Sequence, residues 1–439
     1  MAPGSPGAPS ARLAIHGGPK ARTRPEVPMF PGGMEIGKPE RDAVDGVLDR
    51  RRLIRFYGPD DPDGDDVASE VDAFEDAFAT RMGSSYALGV SSGTAALITS
   101  LAALGVGPGD EVILPAYTFI ASAAAILAVG AIPVIAEVDE SLTLDPHSAR
   151  DSITSYTKAI MPVHMRGMPA QMVELTELAR ANGLCVVEDA AQATGASYRG
   201  RPLGSLGDVN AFSLQMHKII TTGEGGVLTT DDPDLLFRAK CFHDSASEWR
   251  GAAWQDPDPA VRATFTAFPG MNFRMAEITG AIGRVQLSRL DDLLGRMRAH
   301  KAVLRGALEG TGRVELRRVT DPDEAATALI FFVANPRQAR RLTDALRAEG
   351  VGARVLYVDG EHDWHVYACW RDVLAKRTWN RQGYPFSMAR RGIDYRVDMC
   401  PRSLELLRRA VHLDVPPQLT DLDVEETADA LRKVVTALC

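Results

Sequence analysis

The chain has 439 residues, and its 49 Lys and Arg residues against 58 Asp and Glu residues give a formal net charge of −9. This acidic balance argues against a nucleic-acid-binding protein or a polybasic membrane anchor, and the length suits one large domain with a smaller companion. The five cysteines are scattered without a Cys-x-x-Cys motif, so no metal site or disulfide framework is expected and a reducing, cytoplasmic location is favoured.

The first predicted elements lie towards the amino terminus. Residues 1–30 are rich in Pro, Gly and Arg, lack the apolar segment of a signal peptide, and are predicted to be extended or flexible. Helices are predicted at 41–51 and 67–81, with an acidic loop at 60–66 between them.

Two long uncharged stretches follow, at 86–109 and 112–136. Each is long enough to span a membrane, but Gly, Ser, Thr and Pro residues interrupt them. A repeated unit of buried strand, turn and buried helix is the better interpretation, as in a parallel sheet that is covered on both faces. No membrane segment is therefore expected.

The alternation of strand and helix continues to residue 189 and predicts right-handed βαβ units around a mainly parallel sheet. The strands are predicted at 86–91, 111–115, 132–137, 158–163 and 184–189, and the helices at 94–105, 119–130, 145–155 and 170–182.

Beyond residue 189 this regularity is lost, and the later residues are expected to form a smaller α+β domain. The predicted division is a flexible segment at 1–30, a large domain at 31–300 and a small domain at 301–439. Residues 361–399, rich in Trp, Tyr and Arg, are predicted to be an irregular folded excursion. The remaining strands are predicted at 210–214, 226–230, 314–319, 327–334 and 353–358, and the helices at 234–243, 275–300, 337–349 and 421–437.

Polar residues follow three of the predicted strands, at the edge of the sheet where ligands bind in open parallel sheets. In the segment SSGTAAL a strand turns into a helix, with Gly93, Thr94 and Ala95 at the turn. The free N–H groups and the dipole of a helix N-terminus bind phosphate, although such a turn is often only a helix cap.

The other two segments carry an acid and a lysine. Asp189 ends the strand in VVEDAAQATGA. Three roles are open for its carboxylate: a metal ligand, a plain N-cap or the partner of a cofactor cation. Gln192 is placed to face the same cleft. Lys218 lies in the apolar, glycine-flanked segment AFSLQMHKIITTGEGG, where desolvation would lower its pKa and leave a nucleophilic amine. Ser213 in that segment is placed to share the phosphate.

Together these parts form one apparatus. It consists of a phosphate cradle, a lysine able to form a Schiff base, and a carboxylate able to keep a pyridine nitrogen protonated. Pyridoxal 5'-phosphate needs all three, so the sequence predicts a site for this cofactor.

The sequence resembles the DegT/StrS-type family of sugar and cyclitol aminotransferases, within the fold-type I pyridoxal phosphate enzymes. The resemblance runs from about residue 13 to the end. It implies an α/β fold with a mainly parallel seven-stranded sheet between helices, and a smaller C-terminal α+β domain. The matching motifs are SSGTAAL, GDEVILPAYTFIASAAAI, VVEDAAQATGA, FSLQMHKIITTGEGG and GMNFRMAEITGAIGRVQL.

The resemblance also implies roles for individual residues. Lys218 would form the Schiff base and shuttle the proton, Asp189 would pair with the pyridinium nitrogen, and Phe119 would stack on the ring. Gln192 would approach the phenolic oxygen of the cofactor. Asn272 would reach the phosphate of the neighbouring subunit, which implies a homodimer with shared sites. The phosphate would be held by Gly93, Thr94, Ala95 and Ser213.

Three residues are candidates for contact with the substrates: Arg166, His217 and Tyr117. Arg166 stands where many members carry an aromatic residue, and it either binds an anionic substrate group or pairs with a nearby acid. His217 is either a packing neighbour of Lys218 or a second polar group in the site. Because Gln215 replaces the His common in nucleotide-sugar members, the chain looks more like the branch that acts on keto-cyclitols of the scyllo-inosose type.

The implied reaction is a ping-pong amino transfer. L-glutamine or L-glutamate would convert the cofactor to pyridoxamine 5'-phosphate, and a ketone on a cyclitol or sugar would then take the amine, in secondary metabolism of the aminoglycoside kind. The alternatives are a pyridoxal phosphate dehydratase or lyase, and a non-catalytic regulator on the same fold. Retention of Lys218, Asp189 and Gln192 speaks against the regulator, because a binding module has no use for a nucleophilic lysine.

Overall fold

A computed structural model describes residues 12–55, 69–245 and 268–439 of the chain. The predicted acidic loop at 60–66 lies outside these ranges. The described α-helices up to residue 245 are α1 (Lys38–Arg50), α2 (Glu70–Met82), α3 (Gly93–Ala103), α4 (Ala121–Ala128), α5 (Pro146–Asp151), α6 (Met172–Ala181) and α7 (Pro233–His243).

The larger sheet of the described chain has seven strands in the order β1-β9-β8-β5-β4-β2-β3. Only β9 runs antiparallel to its neighbours there, which confirms the predicted mainly parallel seven-stranded sheet. A separate hairpin pairs β6 (Ser197–Tyr198) with β7 (Arg201–Pro202). The strands of the larger sheet are β1 (Tyr86–Val90), β2 (Glu111–Pro115), β3 (Ile132–Ala136), β4 (Thr157–Ile160), β5 (Cys185–Asp189), β8 (Val209–Ser213) and β9 (Gly226–Thr230).

Helices cover both faces of this sheet, because its strands are apolar on both sides. Along β2, Val112 and Leu114 pack into the cluster that contains α3 and α4, and Ile113 packs into the opposite cluster with α2 and α6. Side chains on a strand alternate between faces, so both faces must be covered. The two uncharged stretches are thus buried strand–helix units, and no helix of the described residues is long and apolar enough to cross a membrane.

The helix predicted at 275–300 is two helices, α8 (Glu277–Leu287) and α9 (Leu290–Glu309). Neither Pro nor Gly marks the break at residues 288–289, so helical periodicity alone does not reveal it. Tertiary contacts hold the bend, since the Glu40 carboxylate accepts hydrogen bonds from Gln286 Nε2 at 3.0 Å and from Arg289 Nη2 at 3.2 Å.

A second, antiparallel sheet follows, in the order β10-β11-β13-β12. Its strand β13 was not predicted, because His412 and Asp414 interrupt an apolar run that directly follows a helix. The division predicted at residue 300 falls inside α9, and the division into domains stays a prediction. The second sheet and its helices are β10 (Glu315–Leu316), β11 (Ala328–Phe332), α10 (Pro336–Ala348), β12 (Arg354–Val355), α11 (Arg371–Leu374), α12 (Pro401–Arg409), β13 (Ala410–Asp414) and α13 (Asp421–Leu438).

The described amino-terminal residues run extended along the helices of the second sheet. The backbone N–H groups of Ala14 and Ala21 donate to the Glu349 carboxylate at 2.8 and 2.9 Å, and Arg22 pairs with Asp423 at 3.1 Å. Further along the chain, Met29 and Pro31 line a cavity that lies between the two sheets.

Candidate active site

A cavity of about 830 Å³ lies beyond the carboxyl ends of β1, β2, β5 and β8, where ligands bind in parallel α/β sheets. Residues from the second sheet and from the segment after β12 close its other side. The cavity brings together nine of the residues singled out in the sequence: Gly93, Thr94, Phe119, Arg166, Asp189, Gln192, Ser213, His217 and Lys218.

The turn from β1 into α3 presents backbone N–H groups to this cavity. Ser92 caps the helix by accepting a hydrogen bond from the Ala95 N–H at 3.0 Å. Gly93 and Thr94 occupy the first two helical positions and line the cavity, and N–H groups at these positions have no partner within a helix. The Ala95 N–H donates to Ser92 and Ala95 does not line the cavity, so its predicted contact with phosphate stays a prediction.

Two glycines allow the strands to approach this turn closely. A Cβ on Gly93 would lie 2.6 Å from Ser213 Cβ, and one on Gly226 would lie 2.3 Å from the Ser92 carbonyl oxygen. Any larger residue at either position would therefore push β8 or β9 away from the helix N-terminus. The glycines bring Ser213 next to the free N–H groups, as a phosphate cradle requires.

Asp189 ends β5 as a buried carboxylate. It accepts hydrogen bonds from Ser122 Oγ at 2.9 Å and from the Ala191 N–H at 3.1 Å, and no ion pair joins it to a basic side chain of the described residues. Burial raises its pKa, against the lowering effect of these hydrogen bonds and of the Lys218 charge. A buried anion of this kind is stabilised by a ligand that brings a positive charge.

Lys218 lies on the loop after β8 and points into the same cavity. Within the described chain, its amine makes no ion pair and no side-chain hydrogen bond. Burial lowers the pKa of Lys218 to about 8, an effect that Asp189 opposes and the Arg166 charge reinforces. A substantial fraction of the amine is therefore unprotonated and nucleophilic near neutral pH.

This lowered pKa predicts the pH dependence of cofactor attachment. In cofactor-free protein, the rate at which Lys218 captures pyridoxal 5'-phosphate should rise with pH up to about 8 and then level off, because the amine is by then mostly unprotonated. An ordinary lysine, with a pKa near 10.4, would keep gaining about tenfold per pH unit. Stopped-flow absorbance between pH 6.5 and 9.5 measures the rate, and a tenfold rise from pH 8.5 to 9.5 would contradict the assignment.

Gln192 and Arg166 are linked across the cavity wall. The Gln192 Oε1 atom accepts a hydrogen bond from the Arg166 backbone N–H at 3.1 Å. Arg166 Nε donates to the Tyr117 hydroxyl at 3.5 Å, and Tyr117 itself is fully buried behind the wall. Of the two expectations for Arg166, pairing with a nearby acid is not seen among the described residues.

The remaining predicted residues have different positions. Phe119 is exposed to the cavity, with its ring centroid 5.3 Å from that of His365. His217 lines the cavity and packs on Phe30 at 4.7 Å, so it is a packing neighbour and a polar group at once. Asn272 is exposed and does not line the cavity.

Several side chains of this cavity are not among the site residues that the sequence predicts. Ser122 and Thr118, which are joined at 2.8 Å, support Asp189 from the loop and helix after β2. His365 Nδ1 lies 2.8 Å from Asp363 Oδ1, in a segment held by Thr118 N–H donation to the His365 carbonyl. Of the sequence predictions, only the irregular folded excursion at 361–399 covers that segment.

The residues present fit pyridoxal 5'-phosphate. The N-terminus of α3 with Ser213 suits the phosphate, Asp189 suits a protonated ring nitrogen, and Lys218 suits the aldehyde. When bound, the cofactor supplies an electron-withdrawing ring that stabilises negative charge at the carbon bearing the transferred amine.

The comparisons with known proteins agree with this site. A profile of the DegT/DnrJ/EryC1/StrS aminotransferase family matches residues 65–381. The chain is 34% identical to the L-glutamine:2-deoxy-scyllo-inosose aminotransferase of Streptomyces fradiae, over 96% of this chain and 97% of that protein. It is 38% identical to the dTDP-3-amino-3,4,6-trideoxy-alpha-D-glucose transaminase of Streptomyces venezuelae, over 79% of this chain and 86% of that one.

A GDP-perosamine synthase of Caulobacter vibrioides is 44% identical, but over 59% of this chain and 66% of its own length. Among solved structures, an aminotransferase from Psychrobacter cryohalolentis matches with a TM-score of 0.76 and 29% identity, over 94% of this chain and 100% of that one. The family profile spans well over half of the chain, so the chain belongs to the DegT/DnrJ/EryC1/StrS aminotransferase family and is a pyridoxal-phosphate-dependent aminotransferase.

Proposed function

We propose that the chain moves an amino group from L-glutamine or L-glutamate to a ketone on a cyclitol or sugar ring, in secondary-metabolite biosynthesis of the aminoglycoside kind. The observation that carries the proposal is the half-buried amine of Lys218, which shares one cavity with the buried carboxylate of Asp189. A lysine without a protein partner can both form a covalent bond and carry a proton.

Each of the main residues of the cavity has its own role in this proposed reaction. Lys218 takes the proton from the α-carbon of the amino donor, and in the second half of the cycle it returns a proton to the acceptor side. Asp189 remains ionised and holds a positive charge at the ring nitrogen, while Ser122 and the Ala191 N–H keep its carboxylate in place. Phe119 and the buried β strands exclude water from one face of the cofactor ring.

Arg166 is proposed to bind the carboxylate of the amino donor. Its guanidinium lines the cavity, and its only side-chain hydrogen bond among the described residues is the long one to Tyr117. The backbone at Arg166 is left-handed, with a φ of 53°, a conformation that is uncommon for a residue with a long side chain. The segment between β10 and β11 holds this turn, since Arg317 donates to the Met165 carbonyl at 2.8 Å and the Ala325 N–H to the Gly167 carbonyl at 3.0 Å.

An Arg166→Met variant should raise KM for L-glutamine and L-glutamate by about ten- to a hundredfold, the cost of losing a charged hydrogen bond, and leave KM for the keto acceptor nearly unchanged. The matched control is Arg199→Met, because Arg199 also has a left-handed backbone, with a φ of 51°, but an exposed side chain. Equal effects of Arg166→Met on donor and acceptor would contradict the assignment.

The homodimer implied by the resemblance is part of the same proposal. Asn272 is exposed and absent from the wall of its own chain's cavity, so it would contact phosphate only in a neighbouring subunit.

Mass spectrometry tests the proposed function. The protein is incubated with L-glutamine or L-glutamate carrying ¹⁵N at the α-amino group, together with either a keto-cyclitol or a nucleotide-linked keto-sugar. Label in an aminated ring supports the proposal and tells the two acceptor classes apart. Loss of water or of a substituent from the acceptor, without label transfer, would favour a dehydratase or lyase instead.

A further inference from the structure

A pair of opposite charges lies on the wall of the cavity that the second sheet provides. Arg354 is on β12 and Asp414 ends β13, and both side chains line the cavity. Arg354 lies directly opposite His412, which is two residues before Asp414. Residues at these positions share one face of an antiparallel pair, so the three side chains point the same way.

These charged groups have almost no protein partners. The closest nitrogen of Arg354 is Nη2, at 3.9 Å from Asp414 Oδ1, which is too long for a hydrogen bond. Arg354 Nε is buried without a hydrogen-bond partner, and among the described residues the Asp414 carboxylate accepts no hydrogen bond. His412 is 1% exposed, and its Nε2 atom also lacks a partner, 3.5 Å from Asp414 Oδ1.

Two of the other acids in the cavity wall are engaged by hydrogen bonds, and the third, Glu224, is exposed. Asp189 is held by Ser122 and Ala191, and Asp363 by the side chain and backbone of His365. The side chains of Arg354 and Asp414 are 42% and 36% exposed, so solvent reaches them, whereas the buried Arg354 Nε has no hydrogen-bond partner among the described residues. A ligand that completes these hydrogen bonds replaces that solvent and satisfies the buried donor. Arg354 and Asp414 therefore mark a place where a substrate group is expected to bind.

The pair presents a donor and an acceptor side by side. A primary carboxamide matches both, because its carbonyl oxygen accepts from the Arg354 guanidinium and its NH₂ group donates to the Asp414 carboxylate. A carboxylate has no hydrogen to donate and would meet the negative charge of Asp414. A hydroxyl group can satisfy either partner, but it does not discriminate between them.

We propose that Arg354 and Asp414 bind the side-chain carboxamide of the amino donor, so that the enzyme prefers L-glutamine over L-glutamate. This inference rests on the proposed function, in which Arg166 takes the donor's carboxylate within the same cavity. Neither residue contacts the reacting atoms, and both determine which amino donor is preferred.

An Asp414→Asn variant tests the proposal through the first half-reaction alone, with each donor added to the cofactor-loaded enzyme and no acceptor present. The ratio of kcat/KM for L-glutamine to that for L-glutamate should fall by about tenfold, because one charged hydrogen bond is lost and the repulsion of glutamate is removed. Asp359→Asn is the matched control, since Asp359 is exposed, pairs with Arg408 and does not line the cavity.

A binding measurement supplies a readout that does not depend on turnover. In a cofactor-loaded Lys218→Ala background, the fluorescence of Trp364, which lines the cavity, should report L-glutamine binding. Adding Arg354→Met should weaken that binding about tenfold, the size expected for a charged hydrogen bond, and an unchanged affinity would contradict the assignment.

The outcomes separate this inference from the proposed function. If wild-type enzyme converts both donors and Asp414→Asn lowers both rates equally, the carboxamide assignment is wrong while the amino transfer stands. The same holds if Asp414→Asn alters only the second half-reaction, because the pair then serves the acceptor. If neither amino acid converts wild-type enzyme, the proposed function fails and this inference fails with it.

Discussion

A Lys218→Ala variant is expected to lose amino transfer by at least about a thousandfold, since one side chain supplies both the covalent attachment and the proton transfer. The fold should survive, because the Lys218 amine makes no ion pair or side-chain hydrogen bond among the described residues. Turnover with L-glutamine measures the activity, and the mass of the denatured protein after borohydride reduction shows whether the cofactor is covalently held.

Lys158→Ala is the matched control for that experiment. Lys158 lies on β4 of the same sheet but is exposed, so its loss should leave activity and cofactor attachment unchanged. The site assignment would be overturned if Lys218→Ala protein kept activity within tenfold of wild type, or if its cofactor stayed covalently attached.

The second large effect is expected at Asp189. An Asp189→Asn variant should lower turnover by at least about a hundredfold, because a neutral amide no longer stabilises a positive charge on the ring nitrogen. In cofactor-free protein the same variant should melt at an unchanged or higher temperature. Burial raises the pKa of Asp189, which means that the ionised carboxylate is held there at a cost that the amide avoids.

Thermal melting of the cofactor-free proteins and steady-state turnover of the loaded ones measure the two effects separately. Ser122→Ala provides a graded comparison, because it removes one hydrogen bond to Asp189 and leaves the charge. A smaller loss of turnover is expected for that variant. Wild-type turnover in Asp189→Asn would contradict the role given to this carboxylate.

The sequence was sufficient to locate the parts of the site that come from motifs at strand ends. Lys218, Asp189, Gln192 and the turn at Gly93 all follow strands of the parallel sheet, and strands of this kind end at one edge of it. Their meeting in one cavity therefore follows from the βα alternation.

Other parts of the site could not be found in this way. Arg354 and Asp414 lie on β12, which has two residues, and on β13, which no pattern indicated, so only the pairing of the two strands brings them together. Ala95 shows a second limit of the sequence, because its N–H could serve either a phosphate or the helix cap. In this structure the side chain of Ser92 accepts that hydrogen bond, and the contact of Ala95 with phosphate stays a prediction.

Arg166, which stands where many family members carry an aromatic residue, illustrates what tertiary contacts add. The sequence left two interpretations of this guanidinium open, an anionic substrate group or a neighbouring acid. In the structure, a left-handed turn held by the segment between β10 and β11 places it in the cavity without a carboxylate partner in the described residues. This position depends on contacts made more than 150 residues away along the chain, at Arg317 and Ala325, and binding of an anionic substrate group stays a proposal.

The most direct test of the account is the visible spectrum of the purified, cofactor-loaded protein during addition of an amino donor. L-glutamine should convert the pyridoxal form of the cofactor to the pyridoxamine form, with L-glutamate less efficient, and a keto-cyclitol or keto-sugar should reverse the change. A spectrum that no amino donor alters would contradict the central claim that this cavity carries out amino transfer.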